Sequence, residues 1–381
     1  MYLDNAATTP LTSDVKDYII SILDMYANPS SQYDMAKDVR KIIDTARDNV
    51  YKFINATPKD GDVIFTSSGS ASNNLAIRGL INYMDYHCNK EVDVYYSPTS
   101  HKSMYKVCKD IVLISKRACD WLLDVDSSGR IDIENLRGRL IASYMAYYTP
   151  VVCFEAANSE TGTIQNIKEI TDLVHKYNGI VICDFTGYIP YIKLNVKDLD
   201  VDIATFSGHK LNALKGVGVL YKKSGIDIKP LIYGSQEYGL FGGTENVIGI
   251  ASLGKAIEKY SYKDINTDIR DFVFNVITEK ISDVYLVGSR TNRLPYNLYL
   301  AFKGVDSQQL VALLNIQNIQ VSTGSACNNG DAAPSQTLVA IGLDNELINS
   351  CIRLTFSGKE SKGELIFLCN IIRDCVKFLR N

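Results

Sequence analysis

Two residues at successive strand ends carry the strongest chemical signal in this chain. Asp184 ends the apolar run Gly179–Cys183, and Lys210 closes Ser207-Gly208-His209-Lys210 directly after the run Val201–Phe206. Ligands of open α/β sheets sit beyond the carboxyl ends of strands, so an acid and a lysine there can face one crevice. A lysine in a partly apolar place can condense with an aldehyde, and a carboxylate can pair with a buried cation such as a protonated ring nitrogen. The run Thr66-Ser67-Ser68-Gly69-Ser70-Ala71-Ser72 lies between an apolar strand and a helix, where hydroxyls and helix N–H groups suit a phosphate. His101 follows the run Val92–Tyr96, and an imidazole can stack on a ring and relay protons. Cys327 stands in a small, polar, glycine-rich stretch, Val321–Gly330, whereas most other cysteines sit in apolar runs. An accessible, ionisable cysteine is what a thiolate nucleophile requires. Arg353, flanked by apolar residues in Cys351-Ile352-Arg353-Leu354-Thr355, is placed to fork onto a carboxylate, the protein's own or a substrate's.

Singly, each has an ordinary explanation: a helix cap, a loop lysine, a turn, a structural histidine, an exposed thiol, an internal salt bridge. Together, Asp184 and Lys210 match what pyridoxal phosphate needs, a lysine for the aldehyde and an acid for the pyridinium nitrogen.

Positioning them requires strands interleaved with helices. Asp62–Thr66, Val92–Tyr96, Gly179–Cys183, Val201–Phe206 and Gly216–Lys222 read as strands, which predicts an α/β fold with a mainly parallel sheet flanked by helices. After Ser252 the texture changes. One long helical pattern over Leu253–Ile281 precedes strands near Val284–Val287, Tyr296–Phe302 and Ile319–Ser322, and a last helix over Lys362–Leu379. Residues 12–252 are therefore expected to form a large domain, and residues 253–381, with an arm 1–11 docked on them, a smaller α+β domain.

Composition bounds the partners. Among 381 residues, 40 Lys plus Arg against 43 Asp plus Glu give a net charge of −3, which offers no basic field for nucleic acid or anionic membrane. The longest charge-free run, Ser307–Gly330, is interrupted by Gln308, Gln309, Asn315, Gln317, Asn318 and Gln320 and does not read as a membrane span. Nine cysteines without a CxxC pair argue for reduced thiols and against a zinc site. With no signal-peptide pattern in MYLDNAATTP, the expectation is a cytoplasmic enzyme of small molecules, with no metal.

The ordered motifs Tyr2–Pro10, Asn28-Pro29-Ser30-Ser31, Thr66–Ser72, His101-Lys102, Asn158–Gly162, Ser207–Lys210, Gly242–Val247, Ser322–Cys327, Ala333-Pro334-Ser335 and Arg353 resemble those of cysteine desulfurases. These are pyridoxal 5'-phosphate enzymes of the class V aminotransferase family. The resemblance implies an aspartate aminotransferase-like large domain that binds the cofactor and a small C-terminal domain that carries the cysteine loop. It implies Lys210 as the Schiff-base lysine, Asp184 as the acid on the ring nitrogen and His101 as the stacked, proton-shuttling histidine. Gly69, Ser70, Ser207 and His209 match the phosphate cradle, and Thr244 the residue that reaches a neighbouring subunit's phosphate. Arg353 and Asn158 match substrate-binding positions, Ser159 a cofactor-contacting one, and Cys327 the nucleophile. L-cysteine would give L-alanine and a persulfide on Cys327, in a homodimer that hands sulfur to an acceptor or scaffold protein, as in iron–sulfur cluster assembly.

Four positions depart from that pattern. Gly187 stands where the family has a Gln bonded to the ring's phenolic oxygen, and Ser159 replaces a second Asn. Phe241 replaces an Arg before the Gly-Thr pair, and Tyr33 a His. Selenocysteine lysis, transamination or a cofactor-binding scaffold are the rival readings. A Gln restored at position 187 is expected to alter the pH titration of the bound cofactor, with Phe185 and Tyr188 as the neighbours that crowd it.

Overall fold

Apolar runs without polar alternation form the centre of the protein: β4 (Thr149–Glu155) and β5 (Ile180–Asp184) are buried along almost their whole length, the pattern of strands covered on both faces. They belong to a seven-stranded sheet with β1 (Gly61–Thr66), β2 (Val92–Tyr96), β3 (Ala118–Leu122), β6 (Ile203–Ser207) and β7 (Gly218–Lys223), in the order β1-β7-β6-β5-β4-β2-β3. The computed structural model describes residues 1–88, 90–113, 115–262, 264–324 and 334–381. Strands β6, β5, β4, β2 and β3 are parallel, and β7 runs against both of its neighbours. Strand β1 consequently points with the parallel five, and six carboxyl ends open at one edge.

Alternate residues of each strand feed opposite cores. Val63, Phe65, Val152 and Phe154 pack with the helix Asp34–Phe53, whereas Ile64, Val151 and Cys153 pack with the helices Gly69–His87 and Lys102–Lys109. Ser68 caps the helix Gly69–His87, its Oγ accepting the Ala71 N–H at 3.1 Å. Gly218 on β7 lets that cap pass, since a Cβ there would lie 2.3 Å from the Ser68 carbonyl carbon.

A second, antiparallel sheet holds β8 (Val284–Leu286), β9 (Asn297–Phe302) and β10 (Cys351–Thr355), in the order β10-β9-β8. The arm docks on it as expected. Leu3 is fully buried in its core, its N–H donates to the Gln320 carbonyl at 2.9 Å, and its own carbonyl accepts the Thr355 N–H at 2.7 Å. The strand expected near Ile319–Ser322 is instead a pair of single bridges, Tyr2 with Gln320 and Ser322 with Arg353.

The long helix expected over Leu253–Ile281 is two helices, Val247–Glu258 and Asp268–Lys280. The segment between them leaves helical geometry to cross the large sheet's flank, where Tyr260 and Tyr262 donate to the carbonyls of Pro190 and Ile189, each at 2.7 Å. Leu253 and Ile257 pack into the large sheet's core, so the first helix runs through the expected 252/253 boundary without a break. Among the described residues no helix is long and apolar enough to cross a membrane.

Candidate active site

The open edge of the large sheet collects the chemistry. Asp184, last in β5 and 4% exposed, has both carboxylate oxygens engaged. Oδ2 accepts from Asn73 Nδ2 at 2.8 Å, and Oδ1 from the Thr186 N–H at 2.8 Å. Thr205 of β6 donates to Asn73 Oδ1 at 2.5 Å, which turns the amide's NH2 toward the acid. Bonds to an ionised acceptor are roughly twice as strong as neutral ones, so this carboxylate is fixed in direction before any ligand arrives.

His101 caps the helix Lys102–Lys109. Its Nδ1 accepts the Ser103 N–H at 3.2 Å and lies 2.8 Å from the Ser103 hydroxyl, which assigns the proton of the neutral ring to Nε2. Burial, with Lys210 and Lys102 nearby, lowers its pKa against the opposing pull of Asp184, so the ring is neutral at pH 7. Lys210 ends a single helical turn after β6, and the arm braces that turn. Thr9 donates to the His209 carbonyl through both its N–H, at 3.0 Å, and its hydroxyl, at 2.9 Å. Burial beside Lys210 and Lys215 pushes His209 down to about 4.

One cavity takes in Asp184, His101, Lys210, Gly69, Ser70, Ser207, His209 and Ser159. A smaller space behind it shares Ser159, Thr186, Gly187 and Lys210 and is closed by Asn5, Tyr191 and Asn297. Other expected site residues lie elsewhere. Asn158 is spent within the protein: Nδ2 donates to the Thr99 carbonyl and Glu155, and Oδ1 accepts the N–H groups of Glu160 and Thr161. Thr244 lines a separate cavity with Phe65, Glu237 and Phe241. Tyr33 is exposed.

Arg353, 2% exposed, donates through Nη2 to Asp4 Oδ1 at 2.7 Å and through Nη1 to the carbonyls of Ser159 and Gly324, both at 2.9 Å. Its Nε has no hydrogen-bond partner among the described residues. Cys327 lies outside the described residues.

Sequence reading missed Asn73, Ser103 and Glu155. Asn73 and Ser103 lie within helices, and only the folded chain brings them to Asp184 and His101. Glu155 ends the apolar run Val151–Phe154 as Asp184 ends Ile180–Cys183, so the same pattern marks both.

At Gly187 the backbone already crowds the first side-chain atom. A Cβ there would lie 2.6 Å from the Ala157 carbonyl oxygen. Gly187→Ala and Gly187→Gln are therefore expected to destabilise the protein by about 1–3 kcal/mol, the usual range for overpacking, before any effect on the cofactor is read. Thermal melting checks this, and unchanged midpoints would show that the Ala157 carbonyl yields freely.

Comparison with known proteins accounts for this arrangement. The family profile described as aminotransferase class-V matches residues 1–365. The chain belongs to that family. A cysteine desulfurase IscS from Dictyoglomus turgidum is 35% identical over 100% of this chain and 95% of its own. A cysteine desulfurase from a Nostoc species is 33% identical over 100% and 94%. The solved NifS-like protein from Rickettsia africae superposes with a TM-score of 0.86 at 27% identity, covering 99% of both chains. The fold is accordingly aspartate aminotransferase-like, and the enzyme depends on pyridoxal 5'-phosphate.

The cavity fits that group by its own chemistry. It offers a directed carboxylate, a lysine, a neutral imidazole and a capped helix N-terminus beside Ser207 and His209. Among the described residues no metal-binding cluster occurs.

Proposed function

We propose that this chain is a cysteine desulfurase that converts L-cysteine to L-alanine and leaves the sulfur as a persulfide on Cys327. The observation that carries the reading is the single cavity that joins Asp184, Lys210, His101 and the Gly69–Ser70 helix start, in a chain that matches cysteine desulfurases along its whole length. When bound, the cofactor supplies an electron sink next to the substrate's α-carbon.

Each residue then has a task. Asp184 holds the charge on the ring nitrogen, and Gly69, Ser70, Ser207 and His209 hold the phosphate. Lys210 would hold the aldehyde carbon and would move protons to and from the substrate. Neutral His101 would face the ring and would give or take a proton through Nε2. Arg353 would take a substrate carboxylate by exchanging one of the bonds its Nη groups now make to Asp4 and to the Ser159 and Gly324 carbonyls, since its Nε is sealed from solvent. The Cys327 thiolate attacks the substrate sulfur; a sulfur–sulfur bond forms, the substrate's carbon–sulfur bond breaks, and the carbon takes a proton to become alanine.

Thr244 and Phe241, grouped in a cavity apart from this chain's own Lys210, support a homodimer in which Thr244 serves the partner's phosphate. Packing of Leu253 and Ile257 in the large core supports a division into two domains after Glu258. A cytoplasmic setting and delivery of sulfur to an acceptor, as in iron–sulfur cluster assembly, complete the reading.

Borohydride reduction followed by peptide mass spectrometry tests it. The pyridoxyl label is expected on Lys210, and a label on any other lysine overturns the assignment of the cavity.

A further inference from the structure

Glu155 is a buried acid facing the same cavity, and no step above uses it. It ends β4 directly opposite Asp184 in the parallel ladder, is 6% exposed, and lines the cavity with Lys210 and Ser159. Among the described residues its one hydrogen bond is accepted: Asn158 Nδ2 donates to Oε1 at 2.5 Å.

Strand order says what this carboxyl meets. The phosphate cradle lies over β1 and β6, the lysine follows β6, and the acid for the ring nitrogen ends β5. On a pyridoxal ring the phenolic oxygen is next to the aldehyde carbon, on the edge opposite the phosphate arm. Three anchors on β1, β5 and β6 thus turn that oxygen toward β4. The two other positions on that side offer little: Gly187 has no side chain and no room for a Cβ, and Ser159 has only a short hydroxyl.

We propose that Glu155 fills this gap, its carboxyl group donating a hydrogen bond through Oε2 to the phenolic oxygen of the bound cofactor. The donor form is the one its surroundings favour. Burial pushes its pKa well up, Asp184 from β5 and Glu160 from the following turn push the same way, and the Asn158 amide and Lys210 only partly oppose them. Asp184 has both carboxylate oxygens engaged by N–H donors and Glu155 only one, so of the two adjacent acids Glu155 keeps an oxygen from which to donate. With Oε1 accepting from Asn158, the proton belongs on Oε2.

The inference rests on the cofactor reading of the cavity, and the test separates the two. Glu155→Gln keeps an acceptor for Asn158 and a donor for the cavity; Glu155→Met removes the donor, while Asn158 Nδ2 retains its bond to the Thr99 carbonyl. For holoenzymes at pH 7, the infrared difference between parent and Glu155→Gln is expected to contain the carbonyl band of a protonated carboxyl. By equilibrium dialysis of pyridoxal 5'-phosphate, Glu155→Gln is expected to bind within about threefold of the parent and Glu155→Met about 10- to 100-fold more weakly, the range for a bond to a charged acceptor. An ionised Glu155 in the infrared spectrum, or equal affinity in all three proteins with the borohydride label on Lys210, overturns the role of Glu155 alone. A label elsewhere overturns the cavity reading and this inference with it.

Discussion

Sulfide release from L-cysteine is expected to fall at least about a thousandfold in Cys327→Ser, while the visible spectrum of the bound cofactor stays that of the parent. A hydroxyl at that position is a far weaker nucleophile than a thiolate, and loss of a covalent nucleophile removes nearly all of the rate it supports. The other cysteines are poor substitutes. Cys108, Cys153, Cys183, Cys351 and Cys369 are buried. Burial pushes the thiols of Cys108, Cys119, Cys183, Cys351, Cys369 and Cys375 upward, away from the thiolate. Cys88→Ser and Cys375→Ser should accordingly leave the rate within about twofold. A sulfide assay with reductant present, run beside absorption spectra, decides the matter. Full activity in Cys327→Ser would mean that sulfur leaves by another route.

The second large effect is expected at Asp184. Removing one partner from a buried ion pair costs about 3–5 kcal/mol, because the remaining charge has no counter-charge and no water. Asp184→Ala should therefore weaken pyridoxal 5'-phosphate binding by roughly two to three orders of magnitude. It also leaves the Thr186 N–H without its acceptor and Asn73 Nδ2 with only Ser103 Oγ, at 3.0 Å. Lys362→Gln, at the start of a helix in the small sheet's layer, should bind the cofactor as the parent does. Equilibrium dialysis measures both; parent-like affinity in Asp184→Ala would show that the acid does not face the ring nitrogen.

Much of the site was legible because it follows a local rule. An apolar strand that ends in a polar residue marks the open edge of the sheet, and Asp184, Lys210 and His101 all follow such runs. The same rule marks Glu155 in Val151–Glu155, yet its use depends on lying one rung from Asp184, and that register exists only in the folded sheet. The Asp4–Arg353 pair joins positions 349 apart, so no local pattern could announce it. Its presence also changes the meaning of Arg353, whose Nη groups are already committed to the protein. The helical period over Leu253–Ile281 hides a real break, because Tyr260 continues the spacing of Leu253 and Ile257 while its hydroxyl and that of Tyr262 hold the chain to Pro190 and Ile189. Gly187 read as a missing glutamine; the Ala157 carbonyl makes it a position with no space for any side chain.

The docked arm has a consequence for how the enzyme comes into being. Leu3 pairs with Thr355 and Gln320, and Asp4 with Arg353, so residues 3 and 4 stay without these partners until residues 320–355 have been made. Closing a loop of that size has a modest entropic cost, which grows only slowly with length, but it cannot begin on the ribosome until residue 355 has emerged. Thr9, which braces the Lys210 turn, belongs to the same arm. The nascent chain can thus build its large sheet and brace the lysine turn with Thr9 while translation continues, whereas the contacts of Leu3 and Asp4, and with them the Asp4–Arg353 pair, wait for β10.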